Sequence, residues 1–587
     1  MSNPSSTPAE SPLAAASGQP YRTAFHFQPP QNWMNGELFF SYFTLSSSSS
    51  VLQLSLSFHT CSNIAMKIIF NSKTGQMWYN GVYHFFYQHN PFGPFFNIRM
   101  HWGHSVSHDL INWIHLDSAF TPIDPFDING CWSGSATILP GNKPIMLYTG
   151  IDSENRQVQN LAVPKDLSDP YLKEWVKHAG NPVISLPEGI QHDDFRDPTT
   201  TWLQEDGKWR LLVGSQKDKT GIAFLYHSDD LVNWSKHDSP LHQVPGTGIW
   251  ECPDFFPVWV DSTNGVDTSV INPSNEVKHV LKVGLQDQFK DYYVIGNYSP
   301  EKEHYVPEDE LTLSSLRLDY GRYYASKSFF DPVKKRRIIM GWVHETDSEA
   351  DAIAKGWAGV QSFPRSIWLD KNQKQLLQWP IEEIEMLHEN KVSFQNKKLE
   401  GGSLHEIQGI TASQADVKIS FKLSNLEEVE ELDPSWDDPQ LICTESDASK
   451  KGKFGPFGIL VLASNDLTEQ TAIFFRVFQK KGRYVVAMCS DQSQSSTKNG
   501  IDKTSYGAFV DIDPQQDEIS LRTLIDHSIV ESFGGGGKTC ITARVYPTLA
   551  IGEDARLFAF NYGTESVVIS ELSAWSLKKA RLNKEKP

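Results

Sequence analysis

The stretch Ser107-His108-Asp109-Leu110-Ile111-Asn112-Trp113 returns further along the chain as Ser228-Asp229-Asp230-Leu231-Val232-Asn233-Trp234. In both copies a strand-like run leads into a Ser/Asp turn and then a tryptophan placed to pack between sheets. From Met77 to about Asp370 the surrounding pattern is short apolar and aromatic runs between Gly, Pro, Asn and Asp turns. Examples are 82–87 (VYHFFY), 144–148 (PIMLY), 209–213 (WRLLV) and 337–340 (RIIM), as expected of an all-β fold. A repeated strand–turn–Trp unit among so many short strands points to the blades of a β-propeller.

Further on, the runs 415–423, 457–463, 472–478, 483–488 and 557–560 again read as strands, and a β-sandwich is their simplest packing. Between the two regions, 378–387 (QWPIEEIEML) carries the best helical pattern and is expected to join the domains. The predicted organisation is a disordered lead-in over 1–20, a propeller over 21–375, a linker over 376–400 and a sandwich over 401–587. Residues 36–74 break the propeller pattern with the run Ser46 to Ser50 and clusters of Phe and Leu that follow neither strand nor helix period. The segment looks inserted and is expected to loop out poorly ordered. It is not a membrane span, because serine interrupts every apolar run.

At 587 residues the chain exceeds one compact core, in keeping with two domains. Aromatics reach 12%, with 17 Trp, beside a hydrophobic fraction of only 39%, which suits either rings stacking on sugar faces or a Trp-rich β core. The net charge of −18 argues against nucleic acid or an anionic membrane as partner and leaves neutral sugars as a good fit. Gly534 to Gly537, followed by Lys538, lacks the context and terminal Ser/Thr of a phosphate loop and reads as a hairpin turn. His192-Asp193-Asp194 reads as solvated loop acids, so neither metal nor other cofactor is expected.

Six cysteines are too few for a disulfide scaffold and lack metal-site spacing. Cys443 and Cys489, expected on separate strands of the second domain, either form its one disulfide or stay as buried thiols. Asn233 and Asn297 head glycosylation sequons, which matter only if the protein is secreted. Residues 1–20 show neither the basic start nor the apolar run of a secretory signal.

Two short motifs carry chemistry. Trp250-Glu251-Cys252-Pro253-Asp254 sets a carboxyl beside an indole and a thiol, and Phe195-Arg196-Asp197-Pro198 sets one beside a guanidinium. An apolar setting keeps a carboxylic acid protonated near neutral pH, whereas an arginine partner keeps one ionised. Carboxyls pushed apart in pKa are what glycosidase acid/base chemistry needs.

Taken together with Trp33-Met34-Asn35, Tyr87-Gln88, Trp102-Gly103-His104-Ser105, Trp132-Ser133-Gly134-Ser135 and Gly356-Trp357-Ala358-Gly359, these motifs resemble glycoside hydrolase family 32, the plant cell-wall invertases and fructan exohydrolases. The resemblance runs from about Tyr21 to Leu577. It implies a five-bladed propeller with the site in its funnel, then a sandwich, in a monomer of the cell wall or apoplast, with the vacuole as alternative. It also implies that Glu251 is the acid/base and that Asp197 binds the fructosyl hydroxyls, kept ionised with help from Arg196. Trp33, Asn35, Gln88, Trp102 and Ser133 would line the fructose pocket. The implied mechanism is retaining, through a fructosyl-enzyme.

The chain departs from that family at its nucleophile, the Asp of Trp-Met-Asn-Asp-Pro-Asn-Gly. Here Asn35 runs into Gly36, and the family pattern resumes only at Gly75-Gln76-Met77-Trp78-Tyr79. The intervening segment contains no Asp, and its one acid, Glu37, is a poor substitute for a group that must sit in near-attack geometry. In plant genes of this family the tripeptide lies on a very small exon of its own, so the segment is expected to be translated intron. As written, the chain is expected to be inactive. A second departure lies in Leu285-Gln286-Asp287-Gln288-Phe289-Lys290, where Gln286 and Phe289 stand in place of the Asp and Lys that hold the glucose of sucrose. That leans to a fructan exohydrolase acting on inulin or levan, with sucrose hydrolysis as the alternative if Asp287 shifts register. The alternative of another class is a sugar-binding protein without catalysis.

Overall fold

The computed structural model describes residues 19–34, 75–269, 276–424 and 426–584. Asn35, the segment 36–74 and most of the expected lead-in fall outside them. Five mainly antiparallel sheets follow one another from Asn32 to Pro380, and two six-stranded sheets complete the described structure. The inner strands of the five blades are Asn32–Met34, Gly130–Leu139, Phe195–Arg196, Trp250–Trp259 and Tyr323–Asp331. Neighbouring blades touch in order, and Gln76–Tyr79 of the first meets Tyr323–Asp331 of the fifth, which closes the ring.

Because each blade is sandwiched between two others, its central strands are covered on both faces. Trp209–Lys217 and Val82–Asn90 are buried almost throughout, which is why their first halves read as mainly apolar and aromatic runs and do not alternate with polar residues. The ring is also tied by sequence-distant strands. Trp357–Ala358 runs parallel to Asn32–Met34, and Leu582–Lys584 runs parallel to Trp113–His115 on the same first blade.

The echo that suggested blades is reproduced atom for atom. Ser107 Oγ accepts from Leu110 N at 2.8 Å, and Ser228 Oγ from Leu231 N at 2.8 Å. Asp109 caps Asn112 N and Asp230 caps Asn233 N, both at 2.7 Å, and the Trp113 and Trp234 indoles donate to the Leu110 and Leu231 carbonyls. These turns link the third and fourth strands of blades one and three.

The sandwich sheets bury Phe421, Phe457, Phe475, Leu521 and Ile569 between them. Its predicted strands are present, and 535–537 is a tight turn between two paired strands. The 378–387 stretch is not an α-helix: Leu376–Pro380 is the outer strand of blade five, and only Glu382–Leu387 forms a 3-10 turn. Nor is 376–400 a free linker, since His388–Leu399 pairs along Val567–Leu577 in the sandwich. The apolar residues Ile384 and Leu387 anchor the short connection between them. The Cys443–Cys489 disulfide forms, but Cys443 sits on a short helix, Pro439–Glu445, rather than a strand. Asn233 and Asn297 are both exposed.

The domains are joined through the first described residues. The backbone N–H groups of Ala24, Phe25 and His26 donate to Asp526 at 2.6–2.9 Å. The His26 ring bridges Asp526 (2.9 Å) and Glu531 (3.0 Å), and Arg365 links Glu531 (2.5 Å) to Asp319 (3.0 Å).

Candidate active site

Three inner strands carry the same kind of interruption. β-Bulges lie between Cys131 and Gly134, between Glu251 and Asp254, and between Tyr324 and Lys327. In blade three the strand stops at Arg196. The residues that turn the chain there are Asp197 (φ 67°), Cys252 (φ 46°) and Ala325 (φ 55°), all in the left-handed region that side chains other than glycine seldom adopt. Such strain persists only where surrounding structure enforces it, and it gathers at functional sites.

The residue before each turn points to one common place. Arg196 donates to Glu251 Oε1 from Nε (3.1 Å) and Nη2 (2.9 Å), and Tyr324 donates its hydroxyl to Glu251 Oε2. Gly284 leaves room for that phenol, since a Cβ there would lie 3.2 Å from its oxygen. Arg196 is completed by Gln286 Oε1 (3.0 Å), Gln157 Oε1 (3.3 Å) and the Asp193 carbonyl (2.6 Å). The His192-Asp193-Asp194 loop thus serves to hold the arginine. Asp197 receives Cys252 N (2.8 Å) and the Cys252 thiol on Oδ2, while its own N–H donates to Thr149 Oγ1 (2.9 Å).

Burial raises the Glu251 carboxyl to about 7, against the opposing pull of Arg196. The apolar setting expected from its sequence neighbours is not the cause. Trp250 points into the core between blades three and four and donates to Thr247, and the Cys252 thiol faces Asp197. The expected Arg196–Asp197 pairing is likewise corrected. The guanidinium bonds Glu251 instead, and burial holds Asp197 above its usual range although the arginine field pulls it down.

The other expected positions divide. Trp33 Nε1, both polar atoms of Gln88, Ser133 Oγ and Asp197 Oδ1 are buried and have no hydrogen-bond partner among the described residues. Trp33 shares an apolar cluster with Trp132, next to the Ser133 bulge. Trp102 is set behind this wall. Its ring stacks on Phe120, and its N–H donates to the Trp132 carbonyl (2.9 Å), so it holds the bulge that presents Ser133. On the far side, Phe289 lies against Tyr324 with ring centroids 5.6 Å apart. Gln286 faces Arg196, whereas Asp287 lies against the Gly248 backbone.

Tyr324, Thr149 and Gln157 were not anticipated. Tyr324 precedes Ala325 as Glu251 precedes Cys252, an equivalence that lies in the left-handed backbone and not in the sequence. Met34 pairs with His89 and Gln76 with Phe85 on one neighbouring strand, leaving only Gln88, Tyr87 and Phe86 between them. Four strand steps span about 13 Å, a gap that a link of a few residues crosses.

Residues 65–380 match the family model for the glycosyl hydrolases family 32 N-terminal domain, and 383–576 match that for the family 32 C terminal. The chain belongs to glycoside hydrolase family 32. Among the relatives of this family 32 protein is the beta-fructofuranosidase, insoluble isoenzyme CWINV3, of Arabidopsis thaliana, 53% identical over 96% of this chain and 91% of that one. A fructan 6-exohydrolase of Beta vulgaris is also 53% identical, over 96% and 88% of the two chains. The crystal structure of fructan 1-exohydrolase IIa from Cichorium intybus superposes with a TM-score of 0.89 at 56% identity, covering 97% and 99% of the chains.

Proposed function

We propose that this family 32 protein is built to release terminal fructose from fructans with retention of configuration. The observation that carries this reading is the set of buried, unpartnered polar atoms on Trp33, Gln88, Ser133 and Asp197, beside a carboxyl that keeps its proton near neutral pH. Sugar hydroxyls would satisfy those atoms, which are otherwise costly to bury. Glu251 donates its proton to the leaving oxygen as the bond to the anomeric carbon breaks and a carboxylate nucleophile bonds that carbon. Water then displaces the nucleophile, giving one proton back to Glu251. Tyr324 and Arg196 hold Glu251 in place, and Asp197 Oδ1 takes the ring hydroxyls.

The nucleophile belongs to the Asp-Pro-Asn tripeptide, for which the strand ending at Met34 and the strand beginning at Gln76 leave a short gap. With 36–74 in that gap the chain is expected to bind fructans but not to turn them over. Gln286 and Phe289 favour fructans over sucrose, because neither supplies the charged pair that would grip glucose. The fructan exohydrolases among the relatives support this, and a structure of the Cichorium intybus enzyme is described in complex with 1-kestose. Sucrose hydrolysis remains the second reading, on the strength of the insoluble beta-fructofuranosidases. Those relatives and the two exposed sequons favour the cell wall as location, and a monomer is the accompanying expectation; among the described residues no helix is long and apolar enough to cross a membrane.

Sequencing the cDNA across Asn35 to Gly75 tests the first part. If Asp-Pro-Asn joins them, the purified product should release fructose from inulin or levan faster than from sucrose. A transcript that matches the present chain, with fructose release from it, would sink the nucleophile argument.

A further inference from the structure

Away from the funnel, at the outer contact of blades three and four, His227, His237 and Glu303 converge. His227 lies on Thr220–Ser228, His237 follows Trp234–Lys236, and Glu303 sits in the turn between Lys290–Ser299 and His304–Pro307. Each offers one ligand atom, and the three lie within 4.8 Å of one another. Glu303 Oε2 is 3.1 Å from His227 Nε2 and 3.3 Å from His237 Nε2. A tetrahedral zinc site with bonds of about 2.0–2.1 Å has edges of about 3.3 Å between its ligand atoms.

Three details separate this group from an ordinary ion pair. His227 Nε2 is buried and, despite its distance, makes no hydrogen bond of proper geometry. His237 Nδ1 lies 2.9 Å from the Ser239 carbonyl and 3.2 Å from the Ser239 N–H. In the tautomer with its proton on Nδ1, which the Ser239 carbonyl would accept, the lone pair on Nε2 faces Glu303, the second-sphere arrangement that orients metal-bound imidazoles. Third, Arg210 donates to the other oxygen of Glu303 while Asp206 neutralises Arg210 (2.6 Å), so Oε2 is held in place and turned to the histidines. The group opens on a cavity of about 550 Å³ lined also by Gln204, Lys208 and Glu301, which gives an ion a way in.

We infer that His227 Nε2, His237 Nε2 and Glu303 Oε2 form a binding site for a zinc-class divalent cation that ties blade three to blade four. Imidazole and carboxylate donors favour Zn²⁺, Ni²⁺ or Cu²⁺ over Mg²⁺ or Ca²⁺. The site is structural, since the candidate active site uses none of these residues, and it lies beyond the expectation of no metal drawn from the sequence.

The test is calorimetric titration of the metal-free full chain with Zn²⁺ at pH 7. The expected result is saturable 1:1 binding and a melting temperature that rises with Zn²⁺ concentration. His237→Ala, His227→Ala and Glu303→Gln should each weaken binding by about tenfold or more, and Lys302→Ala should not. Glu303→Gln keeps the shape of the turn, and metal-free circular dichroism of each variant checks its fold. Co²⁺ substituted for Zn²⁺ should give the visible absorption of a four-coordinate site. No saturable binding to the parent chain, or binding undiminished in folded variants, overturns the inference and leaves a histidine–carboxylate contact only.

Discussion

At the joint between the domains, His26, Asp526, Glu531 and Arg365 are as deeply buried as Arg196, Asp197 and Glu251 at the propeller centre. The two clusters respond to burial in opposite ways. At the joint all four oxygens of Asp526 and Glu531 accept hydrogen bonds. Burial disfavours charge there, but the His26 and Arg365 contacts outweigh it, so both carboxyls are lowered while His26 and Arg365 are raised. At the centre a single guanidinium and few donors face two carboxylates, Asp197 Oδ1 has no partner among the described residues, and burial raises both acids. Equal burial therefore does not mean equal purpose. The cluster whose bonds are complete holds the fold, and the one left incomplete is where the proposed function seats the sugar.

Breaking that contrast at its largest point means replacing 36–74 by Asp-Pro-Asn. Fructose release from fructans should rise by about 10⁴-fold or more over the present chain, as expected when a covalent nucleophile is supplied. In that restored protein, Glu251→Gln should lower kcat by about 10²–10⁴ with fructan binding kept, separable by calorimetry with 1-kestose.

The joint should fail differently. His26→Ala leaves two buried carboxylates short of a partner and should cost about 3–5 kcal/mol in urea unfolding, with KM of any folded protein unchanged. Because His26 is raised in the fold, its stabilisation is complete below its unfolded value near 6.5 and disappears as pH rises through the folded value. A stability profile that does not decline on that side in the parent, relative to the His26 variant, would count against the assignment.

The smallest effect concerns the acid itself. In the proposed mechanism Glu251 must be protonated to act, so the activity of the restored protein should fall as pH rises past about 7. The Tyr324 hydroxyl favours the ionised form, and Tyr324→Phe should move that alkaline limb to higher pH. A shift to lower pH would show that the phenol instead supports the protonated acid. Folding stability should also decline between about 4.5 and about 7 on account of Glu251, because over that span the folded state holds the extra proton.

The information legible along the chain before it folds is local. Short apolar and aromatic runs marked the strands, the Ser–Asp–Asn–Trp turn marked the blades, and Glu251 and Asp197 stood out beside the groups next to them. Which of those neighbours matter was decided only by tertiary structure. In a strand successive side chains face opposite ways, so Trp250 could not surround Glu251, and a bulge turned the Cys252 thiol to Asp197. Arg196 adjoins Asp197 in sequence yet bonds Glu251, across to the next blade. Tyr324 reaches Glu251 from 73 residues away, and His26 meets Asp526 from 500 residues away. No local pattern encodes such pairs. They follow from the register in which strands close into a ring, and that register is a property of the whole chain.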